Sequence, residues 1–213
     1  MEREQIRRTI EERIVFLDYK PGERLKEDRL CEEFDIGRTP LRETLIELEN
    51  KGLVRMIPRK GIYASYVSLQ ELRNAYEVRS FLIRLSGKKA ARNIKISELK
   101  KLRELIGLME RETKPKELIK LDFRAHELVN QASDNEVLAQ ILRELRQQTM
   151  RGWAAPSFQG GMQSFAEEYS RLVDALRKGE EKRSGDILAE HLENFHSRIS
   201  DRFISTEHGK RRI

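Results

Sequence analysis

The sequence predicts a mainly α protein in two parts: an N-terminal winged helix-turn-helix, with three helices and a β-hairpin wing, followed by an all-α antiparallel helical bundle. Three observations predict it. The first 66 residues hold three short helical periods separated by Pro and Gly breaks and closed by two strand-like runs. Beyond them the chain reads as helix with short interruptions. Its 213 residues also exceed a typical single domain and suffice for two cores.

In the first part, Ile6, Ile10, Ile14 and Leu17 recur at helical spacing across Gln5 to Leu17. Pro21-Gly22 breaks that helix, and a second runs from about Lys26 to Phe34, carrying Leu30 and Phe34 inward. Cys31 falls inside it and is expected to be a buried small hydrophobe. Asp35-Ile36-Gly37 is a break of the length found between the two helices of a helix-turn-helix. The third helix is expected from Pro40 to Lys51. Thr39 is its candidate cap, Pro40 its first residue, Leu41, Leu45 and Leu48 its core face, and Gly52 lies past its end. Arg38, Thr39 and Arg42 lie off the apolar stripe, and two guanidinium forks at a helix start suit phosphates and guanine edges. Residues 53–57 and 61–64 read as strands around the basic turn Pro58-Arg59-Lys60. In a winged helix-turn-helix the third helix enters a major groove, and the wing touches backbone or minor groove. The alternative at this stage is a small α+β domain whose arginines are simply solvated.

Composition adds limits. The net charge is +6, yet residues 1–66 hold 14 basic against 14 acidic side chains, so net charge says little about nucleic acid. Its distribution says more: residues 23–35 carry three basic and six acidic side chains, residues 38–60 six basic and three acidic. There is no apolar run long enough for a membrane span and no signal segment, so a cytoplasmic protein is expected. One cysteine excludes an internal disulfide and a cysteine-rich zinc site.

Helices are expected in the second part at about residues 69–93, 97–113, 116–132, 135–152, 162–178 and 184–205, with Ser68 capping the first. Breaks fall at 93–95, Lys114-Pro115, Ser133-Asp134, the stretch from Ala155-Pro156 to Gly160-Gly161, and Gly179. Residues 206–213, with Lys210-Arg211-Arg212, are expected to form a disordered basic tail. Polar residues on the apolar stripes stand out. Asp122 and His126 share the face of Leu118, Leu121, Ala125 and Val129, a spacing that presents two metal ligands from one helix, or equally an Asp–His hydrogen bond. Tyr169 centres a stripe with Phe165, Leu172 and Leu176, and His191 borders one with Leu188, Phe195 and Ile199. Arg79 lies among Leu72, Ala75, Leu82 and Ile83, where a guanidinium suits a carboxylate ligand, an internal ion pair or a snorkelling side chain.

Four runs in order, Pro21-Gly22-Glu23-Arg24-Leu25, residues 36–43, residues 48–54 and Pro58-Arg59-Lys60-Gly61-Ile62-Tyr63, resemble the DNA-binding domain of the GntR family of bacterial transcriptional regulators. Glu77-Val78-Arg79, residues 121–126, residues 131–135 and Ala189-Glu190-His191-Leu192 resemble the FCD-type effector domain of its FadR subfamily. The resemblance implies DNA contacts from Arg38, Thr39, Arg42, Arg59, Lys60 and Gly61, with Arg29 near a further contact position. It implies a divalent transition metal (Zn, Ni or Mn) held by Asp122, His126 and His191, beside an organic acid effector bound by Arg79 and Tyr169. The family's remaining histidine falls at Tyr169, a neutral phenol that is a poor ligand unless ionised. Three arrangements stay open: a weaker three-residue metal site, a phenolate ligand, or a metal-free pocket in which Tyr169 binds the effector. His196, facing away from His191, is a weaker substitute.

The function implied is a homodimeric repressor on a two-fold operator in double-stranded DNA. Residues 1–66 would bind DNA, and residues 68–205 would sense the effector and dimerise. No membrane partner and no enzymatic activity are expected. The alternatives are a metal-dependent enzyme using the bundle site, or a constitutive DNA-binding protein with a decayed effector site.

Overall fold

The structure, a computed structural model, describes the backbone of residues 2–66, 68–150 and 164–210, and the side chains of these residues as far as Ser197 except that of Leu69. Its elements in order are α1 (Arg3–Val15), β1 (Arg24–Leu25), α2 (Glu27–Phe34), α3 (Arg38–Asn50), β2 (Val54–Ile57), β3 (Gly61–Ala64), α4 (Leu69–Asn93), α5 (Ile96–Met109), α6 (Pro115–Ala132), α7 (Glu136–Met150), α8 (Ser164–Arg177) and α9 (Glu181–Lys210). They group into two compact units, one built mainly on residues 1–72 and the other mainly on residues from Arg73 onward. None of the described helices is long and apolar enough to cross a membrane.

In the first unit Ile6, Ile10 and Ile14 of α1, Leu30 and Phe34 of α2, and Leu41, Leu45 and Leu48 of α3 bury together. Each contributes roughly 1.5–3 kcal/mol of apolar burial. Leu17, expected on α1, falls outside it with φ 63°, because the chain turns at Phe16. Helix α3 begins two residues earlier than the sequence suggested. Gly37 is its N-cap, the first bond runs from the Leu41 N–H to the Gly37 carbonyl at 3.2 Å, and Thr39 is already helical. Pro40 fits at the third position for the reason it would fit at the first, since the first four N–H groups of a helix lack intrahelical acceptors. The other end is a Schellman turn: Gly52, at φ +68°, donates to Glu49 and Leu53 donates to Leu48.

The wing is larger than a hairpin. Strands β1, β3 and β2 form an antiparallel sheet in that order, with Arg24 opposite Tyr63, Leu25 opposite Ile62, and Val54 opposite Ala64. The two-residue β1 carries no readable alternation, so periodicity alone missed it. Cys31 is half-buried rather than buried, because the core face of α2 is taken by Leu30 and Phe34.

The regular structure described in the second unit is all helix, with α5 packed on α6 and α8, and α8 on α9. Ser68 caps α4 as expected: its hydroxyl accepts from the Glu71 N–H at 3.1 Å, and Glu71 accepts from the Ser68 N–H at 2.7 Å. Helices α4 and α9 cross closely at two glycines. A β-carbon on Gly87 would lie 2.8 Å from the Ser184 carbonyl, and one on Gly185 would lie 2.7 Å from the Arg84 carbonyl. Ion pairs Arg84–Asp186 and Arg92–Glu181 tie the same two helices. Helix α9 continues to Lys210, so residues 206–210 are helical where a disordered tail was expected. No glycine or proline interrupts the run from Asp186 to His208. The expected break between Ala155 and Gly161, the ends of the flanking helices at Gly152 and Met162, the Ile199 side chain, and Arg211 to Ile213 lie outside the described residues.

Candidate functional site

Two sets of residues carry chemistry. In the first unit, Arg38, Thr39 and Arg42 are exposed near the start of α3, while Leu41, Leu45 and Leu48 of the same helix are buried. Arg29 is exposed on α2, and Arg59 and Lys60 are exposed in the turn between β2 and β3. That turn is tight: Arg59 has φ 62° and Gly61 φ 117°, and a β-carbon on Gly61 would meet the Arg24 guanidinium at 2.9 Å. Position 61 therefore favours glycine for its backbone, while the Arg24 side-chain end could move aside. The two arginines of α3 are held by acids from the first turn of α2, Arg38 by Asp28 at 2.9 Å and Arg42 by Glu27 at 2.6 Å. Exposed pairs of this kind are worth about 0–1 kcal/mol, so an external anion can exchange for the carboxylates.

In the second unit a buried polar cluster joins five helices. Asp122 and His126 come from α6, Arg146 from α7, Glu168 and Tyr169 from α8, His191 from α9 and Arg79 from α4. Ligand atoms of Asp122, His126 and His191 all lie within 4.8 Å of one another. Asp122 is the hub. Its Oδ1 accepts from the Tyr169 hydroxyl at 2.8 Å and faces His191 Nε2 at 3.1 Å, while its Oδ2 pairs with the Arg146 guanidinium. His191 Nδ1 meets Glu168 Oε2 at 2.5 Å, and Asn194 donates to the other Glu168 oxygen at 3.0 Å. Both His191 nitrogens thus face carboxylates, the arrangement of a doubly protonated imidazolium.

The electrostatics follow. Burial would raise the Asp122 carboxyl, but Arg146, then His126 and His191, pull it well below the ordinary range. Burial lowers the His191 imidazole, yet Asp122 and Glu168 outweigh it and raise its pKa. His126 is pushed well down by burial and by the charge of Arg146, so it is neutral, and its Nδ1 has no hydrogen-bond partner among the described residues. Tyr169 is raised well above its usual value by burial and by the Asp122 charge. It is a neutral donor here, and its hydroxyl is held by Asp122. Burial lowers the Arg79 guanidinium to about 9, with Arg146 adding to that and Asp122 opposing it. Two guanidiniums in one buried cluster make it receptive to an anion.

The donor set of one carboxylate and two imidazoles fits a divalent transition ion, with His126 Nε2 3.8 Å from Asp122 Oδ1. Such an ion has to replace Arg146 at Asp122 and the proton on His191 Nε2. His196 does not substitute for the missing histidine: its ring stacks on Tyr76 at 3.8 Å.

Sequence reasoning missed Arg146 and Glu168. The signal was present, because Arg146 lies in line with Ala139 and Leu142, and Glu168 with Phe165 and Leu172. These are charges on apolar stripes, the pattern that singled out Arg79.

A winged helix-turn-helix with arginines on its third helix, followed in one chain by an all-α unit with a buried polar cluster, defines a class of two-part proteins. The family model for bacterial regulatory proteins of the gntR family matches residues 2–64, and that for the FCD domain matches residues 74–194. The chain belongs to the GntR family, with an FCD domain as its second part. It is 30% identical over 133 residues to the Nta operon transcriptional regulator of Aminobacter aminovorans, covering 62% of this chain and 63% of that protein. It is 27% identical over 146 residues to the HTH-type transcriptional repressor RspR of Escherichia coli strain K12, covering 67% and 64% respectively. The chain therefore spans somewhat less than two thirds of the length of these relatives. The solved structure of E. coli McbR/YncC superposes with a TM-score of 0.86 over 94% of this chain and 98% of that one, at 18% identity, a likeness of fold.

Proposed function

We propose that the chain is a DNA-binding transcriptional regulator, acting as a homodimeric repressor on a two-fold operator. Residues 1–66 bind DNA, and residues 68–205 sense a small organic acid and dimerise. The observation that carries this reading is the exposed row Arg38, Thr39 and Arg42 at the start of a helix whose opposite face is core. Arg59 and Lys60 in the wing supply a second contact, and Gly61 lets the backbone come close. One such helix reads only a few base pairs, so a dimer doubles both the site and its contact energy. An effector that binds one state of the dimer better shifts operator affinity by the ratio of its affinities for the two states.

Arg79 and Tyr169 are the groups for the effector's carboxylate. Asp122, His126 and His191 would hold a divalent ion, which supplies a further cationic anchor for that anion. The reading of the bundle as a metal-dependent enzyme finds less support, since the relatives carry the names of regulators. A constitutive DNA-binding protein with a decayed site is favoured by one observation, the closure of Asp122 by Arg146 and Tyr169.

The test is a gel shift with duplex DNA from upstream of the protein's own gene. Arg38→Ala and Arg42→Ala are each expected to weaken specific binding by roughly 1–3 kcal/mol, while Arg59→Ala chiefly lowers the salt slope by about 1. Wild-type affinity in both α3 variants contradicts the reading. Thermal shift against small organic acids separates a working sensor, which gains stability with ligand, from a decayed one, which does not.

A further inference from the structure

The face of α3 that carries Thr39 and Arg42 also carries an exposed apolar side chain, Ile46. At about 100° per residue, Thr39, Arg42 and Ile46 lie within roughly 60° of one another, opposite the core face of Leu41, Leu45 and Leu48. Ile46 is 48% exposed. A β-branched residue at an exposed helical position is a poorer helix former than the Lys, Arg, Glu or Gln that a merely solvated position favours.

The surroundings of Ile46 are prepared for a polyanion. Glu43 and Glu47, which would repel phosphates, are both taken up by one guanidinium: Arg3 NH1 meets Glu43 Oε2 at 2.8 Å and Arg3 NH2 meets Glu47 Oε1 at 3.1 Å. Along the helix axis Ile46 stands about 6 Å beyond Arg42, within one to two base-pair steps of it. In a major groove the apolar feature at base-edge level is the 5-methyl group of thymine.

We propose that Ile46 reads the 5-methyl group of a thymine in each operator half-site, as a specificity-determining residue beside Arg38 and Arg42. The proposal rests on the DNA-binding reading of α3. Arg42 and Arg38 supply charge and hydrogen bonds to phosphates and guanine. Ile46 supplies a contact that discriminates thymine from cytosine and from uracil, which carry no methyl group at that position.

The experiment uses the full chain. A duplex library with randomised sequence is selected for binding. Each thymine of the selected half-site is then replaced, one at a time, by uracil, which removes only the methyl. With wild-type protein one position per half-site is expected to lose about fourfold in affinity, and on the order of fifteenfold when both half-sites are changed, from the burial of a single methyl. Ile46→Ala is expected to bind the thymine operator more weakly by a similar factor and to be indifferent to uracil at that position. Ile46→Val should fall between the two. The side chain is exposed, so these variants are expected to melt with the wild type. A uracil penalty that persists unchanged in Ile46→Ala, or that is absent in the wild type, overturns the assignment of Ile46 while leaving DNA binding intact. Enrichment of no sequence at all overturns the DNA-binding reading, and this proposal with it.

Discussion

Arg146→Gln tests the electrostatic wiring of the bundle most directly. Arg146 and Asp122 are 2% and 3% exposed, and the guanidinium meets the carboxylate Oδ2. Removing one partner of a buried pair typically costs about 3–5 kcal/mol, because the remaining charge stays buried without compensation. Asp122 keeps the Tyr169 hydroxyl and His191 on its other oxygen, which places the expected loss near the lower end, about 3 kcal/mol. For a chain of this size that is a fall in Tm of roughly 6–12 °C, measurable by calorimetry and by urea titration followed through helical circular dichroism. A divalent ion should then replace the missing cation. At a hundredfold excess over its Kd, Zn²⁺ would return about 2.7 kcal/mol to the variant, and it should stabilise the wild type less, where Arg146 competes for the same oxygens. A loss below about 1 kcal/mol would mean that Arg146 is not the principal counter-charge of Asp122. A variant whose stability ignores Zn²⁺, Ni²⁺ and Mn²⁺ alike would sink the metal assignment.

Two further outcomes follow from packing. Gly87→Ala and Gly185→Ala place a methyl 2.7–2.9 Å from backbone of the facing helix, so each is expected to destabilise by about 1–3 kcal/mol in urea titrations. On α5, where a β-carbon at Gly107 meets nothing within 4 Å, the same change should stabilise by up to about 1 kcal/mol, and equal signs at all three positions would show that the crossing is not tight. Val78, Phe81 and Leu85 form an exposed apolar stripe on α4, with Phe81 74% exposed, a surface of the kind through which the dimer proposed above can form. Phe81→Glu is expected to shift the protein from dimer to monomer in sedimentation, and an unchanged dimer would move the interface elsewhere.

What the sequence revealed depended on whether periodicity carried the information. The core faces of α1, α2 and α3 were legible because Ile6, Ile10, Ile14, Leu30, Phe34, Leu41, Leu45 and Leu48 recur at helical spacing, and each is buried. Ser68 was legible as a cap because Glu71 stands three residues on. The start of α3 is not legible in the sequence, because Thr39-Pro40 suits a helix start so well that it masks the plainer Gly37 cap. Asp122, His126, Tyr169 and His191 were found on their stripes and do converge. What one helix at a time could not reveal is pairing. That Arg146 of α7 reaches Asp122 of α6, or that Gly87 of α4 faces Gly185 of α9, is a relation between segments far apart in sequence.

The short strand β1 has a consequence for how a duplex would be measured. Arg24 and Leu25 lace the wing to the segment just before α2, so the basic turn and the third helix do not pivot independently. Together they form a fixed calliper whose two jaws are α3 and the Arg59-Lys60 tip. A calliper of constant gap responds to the width of the groove between its jaws. With α3 and the wing tip seated on the duplex as proposed, operators that differ only in the stiffness or narrowness of an untouched stretch would also differ in affinity.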